Sequence, residues 1–324
     1  MKIVLFGGSG FIGKHLISYF TKKGAHVVLV SRTKRNIHLE KRLGAKNGIE
    51  RHSGVNDGAQ LLAQVNSLVQ YVTWKELQQD VGLLEQADAF INLAGETINQ
   101  RWTANAKEKI LESRVCSTKT VTGIVQRLHS RPKVVINGSA IGIYGMSDTV
   151  VFDETSTQSG NDFLAKVVKE WESTADLMKP YTRIIKLRLG VVLGKDGGAL
   201  PKMILPYKLF VGGKVGTGKQ WLSWIHIGDL VQLIEHCIIN ETINGAINAT
   251  APTPVTNDEF GRTVGQVLRR PHLFPVPAFV LKLMFGEMSR LLLDGQKVLP
   301  KNALESGFHF NYPTVEKACK DLLR

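Results

Sequence analysis

The chain has 324 residues, 43% of them hydrophobic and 21% charged, which is typical of a globular protein with a sizeable core. No apolar run approaches the roughly 20 residues that span a bilayer, so we expect no membrane-spanning segment and no membrane partner. The formal net charge is +13. Because no basic tail, zinc-finger spacing or aromatic-interleaved basic stripe accompanies that charge, we interpret it as a solvated basic surface and expect no nucleic-acid partner.

The cysteines and histidines give no sign of a metal or redox centre. Cys116, Cys237 and Cys319 lie far apart and share no metal-binding or disulfide-exchange spacing. The nine histidines show no ligand spacing of a zinc enzyme. We therefore expect no catalytic metal, and a reducing cytoplasm as the location.

Apolar strands alternate with amphipathic helices from the N-terminus onward. Residues 34–66 are polar, contain several glycines and receive no assignment. Consecutive βα units with apolar strands predict an α/β fold, a doubly wound parallel sheet of the Rossmann type. The predicted strands are Lys2–Phe6, His26–Val30, Val69–Val72, Ala89–Leu93, Val134–Asn137 and Arg183–Leu189, and the predicted helices are Phe11–Lys23, Thr103–Leu128 with Thr103 as its N-cap, and Asp162–Met178.

The pattern changes after Gly190. Glycines punctuate a loop-rich stretch up to a short strand and helix over Trp224–Asn240, and the tail from Pro252 onward is interpreted as mostly helical with Pro breaks. The predicted division is a dinucleotide-binding domain over 1–190, with 220–250 rejoining its sheet. A smaller, mostly helical substrate or C-terminal subdomain then covers 191–219 and 251–324.

The first strand leads into Gly7-Gly8-Ser9-Gly10-Phe11-Ile12-Gly13 and then a helix. Glycines permit a tight turn, let backbone N–H groups approach a pyrophosphate and let the helix pack close to the strand. The N-terminus of the helix adds unpaired N–H donors and the positive end of its dipole. A strand before and a helix after are the context that this motif requires, so the turn predicts a dinucleotide site.

The end of the second strand distinguishes the two nicotinamide cofactors. An NAD site places Asp or Glu about 20 residues past the motif to bind the ribose 2′-hydroxyl, whereas Arg there suits a 2′-phosphate. The strand ends in Ser31-Arg32-Thr33, and the first acidic residue of the chain is Glu40. NADP is therefore predicted over NAD. Arg32 as one more surface cation is the alternative.

Several segments resemble the extended short-chain dehydrogenase/reductases and, within them, an atypical family similar to the NAD-dependent epimerases and dehydratases. The segments that carry the resemblance are Gly7–Gly13, Asn92–Gly95, Gly138-Ser139, Tyr144-Gly145, Arg101–Thr103, Ser113-Arg114, Asn161–Leu164, Trp171-Glu172, Gly213 through His226, and the tail from Val276 to Pro313. The resemblance implies an NADP-binding fold like that of sugar-nucleotide epimerases and reductases, with a C-terminal domain of unknown role.

The turn, the second strand and the resemblance together identify the candidate cofactor-binding residues. They lie in the turn, at the end of the second strand and at the end of the Ala89–Leu93 strand. They are Gly7, Ser9, Gly10, Phe11, Ile12, Gly13, Ser31, Arg32, Leu93, Ala94 and Gly95.

The resemblance also implies a catalytic Tyr and a Lys four residues later on one helix face, with a Ser on the preceding strand. The Tyr and Lys positions fall on Leu164 and Val168, or on Phe163 and Val167 after a one-residue shift, so the pair is absent. The two Tyr-x-x-x-Lys matches elsewhere, Tyr19…Lys23 and Tyr71…Lys75, lie outside the helix that would carry the pair.

Ser139 and Tyr144 remain as the catalytic candidates, with Ser139 orienting a substrate oxygen and Tyr144 supplying a phenol from the loop that follows its strand. A packed or substrate-lining tyrosine is the alternative for Tyr144. Glu96 is a further group able to reach a substrate. Arg101 and Arg114 are candidate anion binders. Because Arg114 lies within the long helix, a structural role is favoured for it. His226 is interpreted as a core histidine.

Two functions stay open. The first is an NADP-dependent oxidoreductase or epimerase acting on a small polar substrate, such as a sugar nucleotide. The second is a non-catalytic NADP-binding sensor or scaffold protein, which the absent Tyr–Lys pair favours. The expected partner is an unidentified small molecule, and the expected assembly is a monomer or a homodimer.

Overall fold

A computed structural model describes residues 1–33 and 67–324, and the unassigned stretch 34–66 lies outside these ranges. The strands are β1 (Lys2–Phe6), β2 (His26–Ser31), β3 (Val69–Thr73), β4 (Ala89–Asn92), β5 (Val134–Ala140), β6 (Val151–Phe152), β7 (Arg183–Leu189), β8 (Val191–Gly194), β9 (Gly197–Gly198), β10 (Trp221–Leu222), β11 (Trp224–His226), β12 (Gly245–Ala249), β13 (Val255–Thr256) and β14 (Lys297–Val298).

The helices lie between these strands and in the C-terminal tail. They are α1 (Phe11–Lys22), α2 (Trp74–Gln79), α3 (Ala104–Arg127), α4 (Phe163–Asp176), α5 (Leu200–Met203), α6 (Leu205–Lys208), α7 (Ile227–Ile239), α8 (Asn257–Leu268), α9 (Ala278–Phe285), α10 (Arg290–Leu293), α11 (Lys301–Glu305) and α12 (Val315–Leu323). Among the described residues no helix has the length and apolar character to cross a bilayer.

Seven strands form one parallel sheet in the order β12-β7-β5-β4-β1-β2-β3. The chain runs outward from β1 through β2 to β3 and then crosses to the other side of β1 for β4. Neighbouring strands whose connections leave in opposite directions open a crevice at their carboxyl ends, where ligands bind in open α/β sheets. The predicted doubly wound α/β fold is confirmed, and the crevice lies between β1 and β4.

Both faces of the sheet are covered by helices whose apolar side chains recur at helical spacing. Leu16, Ile17 and Phe20 of α1 pack beside α7 on one face. Val121 and Val125 of α3 pack with α4 on the other face. Helix α3 begins where the sequence predicts, because the Thr103 hydroxyl accepts a hydrogen bond from the Ala106 N–H.

The remaining strands form small sheets outside the main one. Strand β11 pairs with β8, which pairs with β9, so of the stretch 220–250 only β12 lies in the main sheet. The stretch 220–250 thus returns to the main sheet through β12 (Gly245–Ala249), whereas Trp224–His226 pairs with β8 outside it. The tail also contains β13 and β14, which pair with β10 and β6. The division into two domains stays a prediction.

Candidate functional site

The glycine turn after β1 is packed so closely that neighbouring backbone atoms exclude a side chain at two of its positions. Gly7 has a φ of +80°, and a Cβ there would lie 2.7 Å from the Ala94 nitrogen. A Cβ on Gly13 would lie 2.4 Å from the Gly8 Cα. Gly10 differs, because the nearest atom to a Cβ there is the Gly7 carbonyl oxygen at 3.5 Å. The turn is therefore fixed on the protein side and open at Gly10.

The N-terminus of α1 lacks the side-chain cap that the other long helices have. Its N-cap residue is Gly10, which has no side chain to accept a hydrogen bond from the helix, and its first turn has no acidic residue. Among the described helices of nine or more residues, each of the others is capped by a side chain, from Thr103, Asp162, His226, Thr256 or Thr314. The first N–H groups of α1 are thus left for an external acceptor.

A glycine-rich hairpin of β8 and β9 covers the start of α1. The Phe11 ring lies so close to this hairpin that Cβ atoms on Gly194 and Gly197 would approach it to 2.4 and 2.5 Å. His15, one turn later, lies 2.9 Å from Asp196 at the hairpin tip. The sequence alone indicates only a loop at these glycines, because the ring against which they pack is distant in the chain.

Helix α3 fixes the loop that follows β4. The Arg114 guanidinium donates to the Glu96 carbonyl oxygen at 2.9 Å, and the Ser117 hydroxyl donates to the Ala94 carbonyl oxygen at 3.2 Å. The Ser113 hydroxyl accepts from the Glu96 N–H at 2.9 Å. Burial lowers the pKa of Arg114 to about 10. The arginine therefore serves the loop backbone, which supports the structural reading of Arg114.

Polar side chains that the sequence analysis did not single out cross-link the carboxyl ends of β4 and β5. The Asn92 amide donates to Asn137 at 2.7 Å and to the Thr118 hydroxyl at 3.2 Å. The Trp171 indole N–H donates to the same hydroxyl at 3.0 Å, and its ring occupies the space that a Cβ on Gly138 would need. The sequence signal for this network is an asparagine, Asn92 or Asn137, at the end of each of two otherwise apolar predicted strands.

Ser139 and Tyr144 lie in a buried network around Arg188. Arg188 on β7 forms two hydrogen bonds with the Glu172 carboxylate, at 2.8 and 2.9 Å. The Ser139 hydroxyl donates to Glu172 at 2.6 Å. The Tyr144 hydroxyl accepts from Arg188 and donates to Asn248, both at 2.8 Å.

This arrangement agrees with a packed Tyr144, the alternative to its catalytic role. Tyr144 lies in a short 3-10 helix and is 2% exposed, rather than presenting its phenol from an open loop. Burial raises the pKa of Tyr144, although Arg188 opposes the shift. A phenol with a raised pKa and two occupied hydrogen-bond positions is a poor base at neutral pH. No sequence pattern indicates Arg188 as the common partner, because it lies 44 residues from Tyr144 in the chain.

The helix positions of the missing Tyr–Lys pair are apolar in the structure as well. Val168 is buried, and a Cβ on Gly142 would lie 3.4 Å from Leu164. Phe163 and Val167 pack in a cluster with Trp102. The part of α4 that would carry the acid–base pair therefore presents hydrocarbon.

The other predicted residues lie where the parallel sheet brings them. The glycine turn, Ser31-Arg32 and Leu93–Gly95 follow the adjacent strands β1, β2 and β4 at one edge of the sheet. Arg32 and Arg101 are exposed. His226 is buried, and its Nδ1 accepts from the Gly228 N–H while its Nε2 lies 3.2 Å from Asp321. It caps α7, which supports the reading as a core histidine.

These features fit the phosphates of a dinucleotide. The backbone N–H groups of an uncapped helix and of a glycine-rich turn form an anion cradle. The exposed Arg32 at the end of β2 adds a guanidinium, whose planar fork suits a phosphate. The sequence that follows β2 contains no carboxylate before Glu40 to bind a ribose hydroxyl.

Comparison with known proteins gives the same picture over the whole chain. The model of the NAD dependent epimerase/dehydratase family matches residues 3–249, and that of a domain of unknown function, DUF1731, matches residues 276–322. The epimerase family protein YfhF of Bacillus subtilis is 40% identical over 325 aligned positions, which cover 100% of this chain and 98% of that protein.

Two further relatives come from eukaryotes. The chloroplastic homolog of the epimerase family protein SDR39U1 from Arabidopsis thaliana is 38% identical, over 100% of this chain and 87% of its own. The crystal structure of human SDR39U1 (isoform 2) with NADPH is 33% identical and covers 99% of both chains with a TM-score of 0.83. The fold described above is thus similar to that of an NADPH complex.

Proposed function

Because the chain belongs to the NAD dependent epimerase/dehydratase family, we propose that it binds NADP(H) and acts as an oxidoreductase or epimerase on a small polar substrate. The observation that carries the proposal is the uncapped N-terminus of α1 behind a turn that is open at Gly10. The NADPH in the human relative's structure supports the choice of cofactor.

The residues divide into two roles under this proposal. The backbone from Gly7 to Gly13, with Ser9, Gly10, Phe11 and Ile12, binds the pyrophosphate, and Ser31 and Arg32 bind the 2′-phosphate. Leu93, Ala94 and Gly95 form the wall along the cofactor, held in place by α3. The nicotinamide supplies hydride exchange when it is bound, and the apolar start of α4 limits water beside it.

A non-catalytic NADP-binding protein is the second candidate. It is favoured by the hydrocarbon at Leu164 and Val168 and by the occupied hydroxyls of Ser139 and Tyr144. Absorbance at 340 nm across a panel of carbonyl compounds and sugar nucleotides distinguishes the candidates. Tight NADPH binding without turnover of any panel member would favour the second.

The cofactor preference is tested at Arg32. Replacement of Arg32 by Asp removes the partner of the 2′-phosphate and adds a carboxylate for a ribose hydroxyl, so NADPH should bind about tenfold more weakly, and NADH more tightly. Titration calorimetry with both cofactors measures the two affinities. Lys133→Asp is the matched control, since Lys133 is exposed and lies at the opposite end of the sheet, before β5. An unchanged NADPH affinity in Arg32→Asp would remove Arg32 from the site.

A further inference from the structure

A basic and apolar surface lies outside the cofactor site. Among residues 1–33 and 67–324, sixteen large hydrophobic side chains are exposed, and nine of these lie within residues 205–211 and 273–284. They are Leu205, Leu209, Phe210, Val211, Leu273, Phe274, Phe279, Leu283 and Met284. Scattered apolar side chains are normal on a protein surface, whereas a concentration of this kind marks an interaction site.

The two segments meet, so part of this set forms one surface. The Gly212 carbonyl oxygen accepts hydrogen bonds from the N–H groups of Leu273, at 2.9 Å, and Phe274, at 3.1 Å. The Arg270 guanidinium lies 4.1 Å from the centre of the Phe210 ring. We call the surface formed by Leu209–Val211 and Arg269–Phe274 the basic apolar face.

The charge of this region has one sign. Residues 197–228 and 260–286 contain eight Lys and Arg residues and no Asp or Glu. Asp258, from the adjoining helix turn, binds Arg262 and His272 at 2.8 and 2.9 Å. Within the described residues Arg269 and Arg270 have no carboxylate partner, and both line an open cavity of about 490 Å³ beside the face.

Two residues of the face are held in a backbone conformation that their side chains disfavour. In the described part of the chain, only Gln86, Phe210 and Arg269 have a positive φ without being glycine, with values of 63° at Phe210 and 55° at Arg269. Glycine or asparagine is usual where a helix ends in this conformation. A bulky aromatic and an arginine there oppose local stability, which is typical of residues retained for binding.

From these observations we propose that the basic apolar face binds the surface of a membrane containing anionic phospholipids. Phe210, Leu273 and Phe274 insert among the acyl chains near the headgroups, and Arg269 and Arg270 bind lipid phosphates. Cations beside exposed apolar side chains are the combination that anchors a protein in a bilayer interface. The expectation of no membrane partner rested on the lack of a spanning segment, which surface binding does not need.

Charge and side-chain type favour a membrane over other partners. Two copies of the face would bring like charges together, which opposes a symmetric dimer through it. Single-stranded nucleic acid uses aromatic rings for stacking. Aliphatic side chains such as Leu209, Val211 and Leu273 gain nothing from such stacking, but they are stabilised by an acyl layer.

Sedimentation with lipid vesicles tests the proposal on the full chain. The protein should sediment with vesicles of phosphatidylglycerol and phosphatidylcholine, remain in solution with phosphatidylcholine alone, and be released by salt. The variant Phe210→Asn with Arg269→Asn should lower the bound fraction about tenfold. Its melting temperature should not fall, because Asn accepts a positive φ better than Phe or Arg does.

A matched control removes one apolar and one basic side chain elsewhere. Ile239 is 67% exposed and Lys133 is exposed, so Ile239→Asn with Lys133→Asn should leave vesicle binding unchanged. NADPH affinity should be the same in both variants, which separates this proposal from the proposed function. Equal loss in the control, or no sedimentation with anionic vesicles, would overturn it. The proposal would also be overturned if the variant Phe210→Asn with Arg269→Asn lost binding to single-stranded DNA, or lost a dimer, and kept vesicle binding.

Discussion

Gly10 is the position of the glycine turn at which a side chain can be added without touching the rest of the protein. A Cβ on Gly7 or Gly13 would collide with backbone, whereas one on Gly10 meets only the Gly7 oxygen at 3.5 Å. Its φ of −74° is open to any residue. In the sequence motif Gly7, Gly10 and Gly13 are equivalent. Only the packing distinguishes Gly10, which we propose faces the cofactor, from Gly7 and Gly13, where a side chain would collide with backbone.

Gly10→Ala should therefore impair the cofactor site while sparing the fold. We expect the free energy of unfolding to change by less than about 1 kcal/mol, and NADPH affinity to fall at least about tenfold because the methyl group enters the phosphate cradle. Calorimetry and thermal denaturation measure the two quantities. Gly123→Ala is the control, since a Cβ there meets no atom within 4 Å and should raise stability by about 0.5–1 kcal/mol. Normal binding in Gly10→Ala would place the pyrophosphate elsewhere.

Tyr144 offers a test between a structural and a catalytic role. Tyr144→Phe removes the hydroxyl that connects Arg188 to Asn248. Leaving buried partners unpaired should lower the free energy of unfolding by about 1–3 kcal/mol, while NADPH affinity stays the same. If stability is unchanged but turnover of a panel substrate is lost, Tyr144 acts in catalysis and the network is secondary.

At the scale of secondary-structure elements, the sequence predicted the strands and helices whose pattern lies in consecutive residues. Strands β1 and β2 are short, largely apolar runs, and Thr103 caps α3 where a helix start was expected. Two-residue strands such as β6, β13 and β14 have no such signal, because pairing with distant residues alone makes them strands. Likewise the β8–β9 hairpin over Phe11 depends on contacts across some 180 residues, which periodicity cannot show.

Helix α7 is capped by His226, and this cap should make stability depend on pH. Burial lowers the pKa of His226, although Asp321 opposes the shift. The unfolded chain then binds a proton more readily than the folded one, so stability is full above pH about 6.5 and falls as the pH decreases toward the lowered folded pKa.

His226→Asn keeps a cap acceptor and removes the titrating group. The melting temperature of the variant should change less between pH 7.5 and 5.5 than that of the parent chain, because the variant lacks the contribution of one titrating histidine to the pH dependence. Comparing the two proteins at each pH largely cancels the opposite contribution of buried Glu154, whose pKa burial raises. An identical pH dependence would show that His226 is not the group responsible.

At the scale of the whole molecule, the C-terminal tail covers an edge strand of the main sheet. The Asn302 side chain donates to the Ala246 carbonyl oxygen, and the Asn248 side chain donates to that of Leu299, each at 2.9 Å. Both Ala246 and Asn248 lie on the edge strand β12, so the tail protects an edge that would otherwise be free to pair with another chain. Within the sheet, β5 and β7 separate β12 from the strands that the proposed cofactor-binding residues follow. Of the tail, Met288 packs with Val167 at the start of α4, away from the glycine turn.

This separation predicts where NADPH should alter hydrogen exchange. A ligand at 100 times its dissociation constant adds about 2.7 kcal/mol to stability, which for a chain of 324 residues raises the melting temperature by about 4 °C. Beyond that global effect, amides of Gly7–Ile12, Leu93–Glu96 and the 194–198 hairpin should be protected most, since they surround the cradle. Amides of the basic apolar face should change only by the global amount. Protection concentrated in 276–322 would instead place the nucleotide against the tail, and the cradle at α1 would need another ligand.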